Sequence, residues 1–200
     1  MFALLLALML TIGDGGVIPV LPSGPPPMDC AHAVLGEFGV LTIVDVMRCL
    51  PEAQDADFSL TVDGPGSTTH DLQLLHNVLV AWERRGHRLH CRVAVEADSG
   101  CAYLFESDVC TTRTMAPGSK LGIHHVVVEF TRPVEFTLAE LQDFVNEGRR
   151  EETFLFGRVA ERMDGGTVEK LRARVEATPD GMLMFTADEA LAAGLTDAVQ

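Results

Sequence analysis

The stretch from residue 58 to residue 95 leaves few arrangements open. FSLTV at 58–62 is an apolar run that ends at the turn DGPGS, 63–67. An amphipathic segment follows at 70–85. Leu72, Leu75, Leu79 and Trp82 lie near helical spacing, and Gly86 suits its C-terminal end. A second apolar run, CRVAV at 91–95, comes next. Strand, glycine turn, helix and strand make a βαβ unit. Such a unit requires parallel strands joined by a right-handed crossover. The expected fold class is α/β with a parallel sheet.

The chemistry gathers in the next thirty or so residues. The run at 91–95 breaks at EADSG, 96–100, and a small amphipathic segment starting at 101 reads as a helix that runs to about 109. A serine at a strand-to-helix turn has its hydroxyl pushed outward, beside the unpaired first N–H groups of the helix. Ser99 in that position suits a nucleophile whose product carries an oxyanion. It suits equally a plain helix N-cap. A further strand, read over 121–130, brings His124 and His125, which as neighbours on a strand point to opposite faces.

Composition excludes several partners. The formal charge is −14, so the chain lacks the Lys and Arg that a nucleic-acid backbone or an anionic membrane surface requires. The residues are 47% hydrophobic but only 6% aromatic, so an aliphatic core of one domain is expected. No CxxC or Cys/His spacing suggests zinc, and no metal or other cofactor is expected.

Residues 1–12, MFALLLALMLTI, are too short to span a bilayer as a helix but have the length of a signal-peptide apolar region. No Lys or Arg precedes them. A buried N-terminal element or a subunit contact is the other reading. The Gly- and Pro-rich stretch that follows reads as a linker. Residues 1–28 thus stand as an appended segment, with any membrane contact confined to them, and 29–200 as the domain. Export makes a periplasmic or secreted protein the expectation, with the cytoplasm as the alternative. The five cysteines bear on the same question. In an oxidising compartment Cys30 with Cys49 and Cys91 with Cys110 are natural pairs, leaving Cys101 over. In a reducing one all five would be free core residues.

The remaining elements are read as follows: a short helix at 29–38, a strand at 39–46 (although Asp45 and the following MRCL could begin a helix), a short strand at 111–115, and a helix from 137 to 150. That helix opens with the capping box Thr137/Glu140. The charged helical stretch 151–177, interrupted near 164–166, reads as a solvated arm or a subunit contact through Phe154, Leu155 and Phe156. A capped helix at 186–193, closed by Gly194, and a strand at 195–199 end the chain.

Three segments together resemble the Clp protease proteolytic-subunit family, and more distantly signal peptide peptidase A. VDGPGS at 62–67 is similar to that family's "NSPGG" turn. ADSGCAYL at 97–104, continuing through TRTMAPGSKLGIHH, is similar to "AASMGAFL" and "R.A.P.A..MIHQP". FTADEALAAGLTDAV at 185–199 is similar to "F.SA.EA..YGLID.V". Ser99 and His124 stand 25 positions apart, as the family's serine and histidine do. The resemblance covers roughly 39–199. It implies a crotonase-like βαβ superhelix with a helical arm at 137–177 and a short N-terminal extension. It implies peptide hydrolysis, with Ser99 as nucleophile and His124 as general base. Backbone N–H groups of Gly66 or Ser67 and of Gly100 would form the oxyanion hole. Peptides or unfolded proteins would be substrates, and a homo-oligomer, here through the arm, would be the assembly.

The chain departs from the pattern at the acidic third member, where Met182 stands. Asp180, on the same strand face two residues earlier, is the substitute candidate, and Glu176 a poorer one. Asp98 beside Ser99 either opposes an alkoxide or caps the helix. Lys120, on the strand face of His124, raises a Ser–Lys dyad. These departures keep a second function in view, an inactive scaffold of the same fold. A crotonase-type acyl-CoA enzyme ranks third, because it has no need of the serine–histidine spacing.

Overall fold

The computed structural model describes residues 28–53, 55–125, 137–160, 165–178 and 181–200. A single 3-10 turn, Cys30–His32, capped by the Asp29 side chain, leads into β1 (Val34–Leu35) and α1 (Val40–Cys49). The expected βαβ unit follows as β2 (Asp57–Val62), α2 (Thr69–Glu83) and β3 (Arg88–Val93). Then come β4 (Glu96–Asp98), α3 (Ser99–Glu106), β5 (Cys110–Met115) and β6 (Lys120–His124). The chain continues through α4 (Leu138–Ala160), α5 (Gly165–Glu176), β7 (Met182–Thr186), α6 (Ala187–Ala192) and β8 (Ala198–Val199).

The fold is α/β. Five strands, in the order β1-β2-β3-β5-β8, pair in parallel throughout. In β2, Phe58, Leu60 and Val62 are buried, and in β3 Leu89, Cys91 and Val93 are. The intervening residues, Ser59, Thr61, His90 and Arg92, form a polar opposite face. A smaller sheet, β4-β6-β7, stands beside the first; β4 runs parallel and β7 antiparallel to β6.

Asp63 couples the two sheets. Its carboxylate accepts hydrogen bonds from the N–H groups of Ala94 (2.9 Å) and Val95 (3.0 Å), turning the corner between β3 and β4. Gly64 then pairs with β4, donating to Glu96 O and accepting from Asp98 N–H. A turn 33 positions upstream of Ser99 is thereby tied to the strand that ends at Ser99.

Several expectations are corrected. Residues 39–46 are not a strand. They belong to α1, because Ile43, Val46 and Cys49 recur at three-residue spacing and a buried face outweighs β-branched propensity. The helix expected at 29–38 is only the 3-10 turn and β1. The central strand stops at Val93, where Asp63 takes the next two N–H groups, and residues 96–98 form a strand rather than a break. The elbow helix ends at Glu106, not 109, where Ser107 Oγ donates to Leu104 O. The strand begun at 121 is β6; its expected continuation, 126–130, lies outside the described residues. The terminal strand is reduced to Ala198–Val199.

The arm is solvated on one face only and packs on the domain with the other. The capping box Thr137/Glu140 forms as expected, but α4 runs on to Ala160 and packs on α3. Phe156 is 1% exposed and meets Tyr103 edge-on at 6.0 Å, and Leu155 is buried as well. These two residues are therefore intramolecular core, which overturns their assignment to a subunit contact. From α5, Val168, Leu171 and Val175 are buried, and the Arg172 guanidinium lies 5.0 Å over the Phe156 ring.

Disulfides join Cys30 to Cys49 and Cys91 to Cys110, and Cys101 is free and buried. Beneath the main sheet a buried ion pair links α3 to β5. Arg113 donates to Glu106 at 3.1 Å and to Asp197 at 3.0 Å. Among the described residues no helix is long and apolar enough to cross a membrane, and no His, Cys, Asp and Glu side chains are grouped as a metal site.

Candidate active site

Ser99 is the first residue of α3, and its φ is 51°. A side chain in this left-handed region costs about 1–2 kcal/mol. The constraint is topological. Asp98 is still paired with Gly122 of β6, and the helix starts at the next residue, so one residue must absorb the whole reversal. The N-cap position belongs to Asp98, so Ser99 is not a capping serine. Asp98 makes no side-chain cap bond either, which removes the capping role considered for it.

The glycine turn is pressed onto the same corner. Gly66 has φ 83°, and a Cβ there would lie 2.4 Å from Cys101 N and 2.6 Å from Gly100 N. A Cβ on Gly100 would lie 2.9 Å from Ser67 N. Only two glycines permit this approach. Gly66 O accepts from Phe38 N–H, so in a trans peptide the Ser67 N–H points the other way. Gly100 N–H, in the first helical turn, has no intrahelical acceptor. Ser67 and Gly100 thus present adjacent backbone donors. Gly66 supplies the close approach instead of a donor.

A cavity of about 260 Å³ opens over this corner. Ser67 and His70 come from the start of α2, Ser99 and Tyr103 from α3, His124 and His125 from the end of β6, and Glu151 from α4. Sequence reasoning missed α4 as a wall because its apolar residues were read as an outward surface. Thr69 Oγ1 donates to Glu151 at 3.2 Å, fastening α4 to the mouth of α2. Tyr103 Oη donates to His124 O at 2.7 Å, fixing the end of β6 over α3. The Cys101 thiol, which donates to Gly36 O, is pushed up to about 12 by burial and is no rival nucleophile.

The two histidines are held differently. His124 Nδ1 is hydrogen-bonded to the His125 carbonyl, which leaves Nε2 as its lone-pair nitrogen. Met182 faces His124 across the β6–β7 ladder, where the resemblance would put an acid. Asp180 lies outside the described residues. Glu176 is an exposed residue at the end of α5. Lys120 pairs in register with Glu96 and does not line the cavity.

Asp98 fills the space over Gly122, where a Cβ would come within 2.1 Å of its Oδ1. That oxygen is buried with no partner among the described residues, close to the Met182 and Met184 sulfurs. Burial first, and then neighbouring Glu96, raise its carboxyl to about 6; Lys120 opposes them. A raised folded value favours the protonated form. Its stabilising contribution is complete below the ordinary aspartate value of 3.8 and is lost as pH rises through about 6. Asp98→Asn is therefore expected to stabilise the protein at pH 7.5 by about 1 kcal/mol, discounted for partial exposure, with no gain at pH 3.5. Thermal melts at the two pH values check this, and an equal gain at both would contradict it.

Compared with protein-family models and with curated proteins, the chain matches none.

Proposed function

We propose that the protein is a serine-type peptidase with a fold related to the Clp proteolytic subunit. The observation that carries the reading is the corner itself. A serine in a left-handed conformation at a strand–helix junction adjoins two backbone donors with no partner among the described residues, in a cleft that also holds two histidines. Ser99 Oγ attacks the substrate carbonyl, and Ser67 and Gly100 N–H groups receive the oxyanion. One of the two cleft histidines at the end of β6 takes the proton and returns it to the leaving amine; the family resemblance implies His124. Extended or unfolded peptide is the proposed substrate, as the family resemblance implies.

Two disulfides favour an oxidising compartment, so the proposed setting is periplasmic or secreted. The proposal of a homo-oligomer now rests on Leu138, Leu141 and Val145, an exposed apolar stripe on α4.

Hydrolysis of a library of fluorogenic unstructured peptides tests the reading. Turnover should fall by about a thousandfold or more in Ser99→Ala. Met182 opposite His124 favours a second reading, an inactive scaffold. A folded wild type with no Ser99-dependent turnover would establish that one instead.

A further inference from the structure

Resting on the hydrolase reading, we infer that the acidic group absent at Met182 is supplied by Glu152 of α4, which positions His125 as the proton acceptor for Ser99. Glu152 Oε1 is hydrogen-bonded to His125 Nδ1, and both side chains are 29% exposed. Nothing among the described residues bonds His125 Nε2, and His125 lines the same cavity as Ser99.

The strand register sets the two rings apart. His124 continues the face of Lys120 and Gly122, toward Asp98 and Met182. His125 follows Leu121 and Ile123, the buried face. Its ring lies 6.5 Å from that of Phe156, which itself packs on Tyr103 of α3. His125 is thus on the side that packs against α3, and it shares the cleft with Ser99. The partners differ as well. His124 Nδ1 has a neutral carbonyl, whereas His125 Nδ1 has a carboxylate, which holds the tautomer and stabilises an imidazolium by a charge-assisted bond. The other polar or charged groups around this pair are Glu151 and His70 in the cleft, Tyr103 from α3, and Arg172 from α5 over Phe156.

The step balances without a further reagent. Ser99 Oγ bonds to the carbonyl carbon and its proton moves to His125 Nε2. The C–N bond then breaks and that proton leaves with the amine. Water enters by the same route and frees Ser99. Glu152 touches no reacting atom, so it is a positioning residue.

The test compares His124→Ala, His125→Ala, Glu152→Gln and Glu152→Asp in the full chain, with Ser99→Ala as the zero. Glu152→Gln, which keeps the shape, should lower kcat by about a hundredfold to ten-thousandfold with KM nearly unchanged. Glu152→Asp should recover part of the loss. His125→Ala should fall to the Ser99→Ala level, and His124→Ala should keep at least about a tenth of the activity. Proton NMR adds a readout free of turnover. In Ser99→Ala a far-downfield His125 ring N–H proton should appear and should vanish when Glu152→Gln is added. Wild-type kcat in Glu152→Gln, or loss in His124→Ala but not His125→Ala, overturns the assignment while leaving the hydrolase reading intact. Absence of any Ser99-dependent turnover in the wild type overturns both.

Discussion

Arg113→Met is expected to destabilise the protein by about 3–5 kcal/mol. Arg113 is 2% exposed and Glu106 is 1% exposed, so the substitution leaves a buried acid without its hydrogen-bond partner where water cannot reach it. Burial already raises Glu106 to about 8, against the pull of the guanidinium 3.1 Å away. Without that cation its ionised form is far less tolerable. Arg113 also holds Asp197, whose other oxygen accepts from Arg113 N–H at 2.7 Å, so the attachment of β8 beside β5 loosens too. The double variant Glu106→Gln/Arg113→Met should regain part of the loss, because it removes both charges. Urea unfolding under non-reducing conditions measures this. A shift below about 1 kcal/mol for the single variant would show that the pair is not buried as described.

On the proposed reading, Gly66→Ala should abolish Ser99-dependent turnover while Gly118→Ala does not. Both positions have positive φ, 83° and 82°, so both substitutions carry the left-handed cost of about 1–2 kcal/mol. At Gly118 nothing lies within 4 Å of the added methyl. At Gly66 the methyl meets backbone atoms of Gly100 and Cys101 at 2.4–2.6 Å, and backbone cannot rotate away. The turn must lift off the elbow, at a total cost of about 2–4 kcal/mol. Ser67 N–H then leaves the proposed oxyanion position, and loss of one such donor costs about a hundredfold to a thousandfold in kcat. Equal activities in the two variants, measured on folded protein, would remove Ser67 from the site.

Much of this was legible in the residues, for identifiable reasons. Phe58, Leu60 and Val62 alternate, and Leu72, Leu75 and Leu79 keep helical spacing, so the βαβ unit could be read directly. Both cysteine pairs were legible from the elements they bracket. Residues 40–49 were not, because a run of Val, Leu, Thr and Ile has strand propensity and only tertiary burial of Ile43, Val46 and Cys49 makes it a helix. Strand β4 is three residues long, and its pairing with Gly64 and β6 is entirely non-local. That Ser99, Ser67 and Gly100 share one cleft was legible from the turns they occupy. Glu152 was not. It lies 27 positions beyond His125, on a helix whose inward face appears only once Leu155 and Phe156 are seen buried.

The central claim is that Ser99 is an activated nucleophile. Intact-mass analysis after treatment with a fluorophosphonate, followed by peptide mapping, tests it most directly. One adduct per chain on Ser99, lost in Ser99→Ala and slowed in Gly66→Ala, is the predicted result. An unmodified folded chain, or an adduct on another residue such as Ser67, would contradict it.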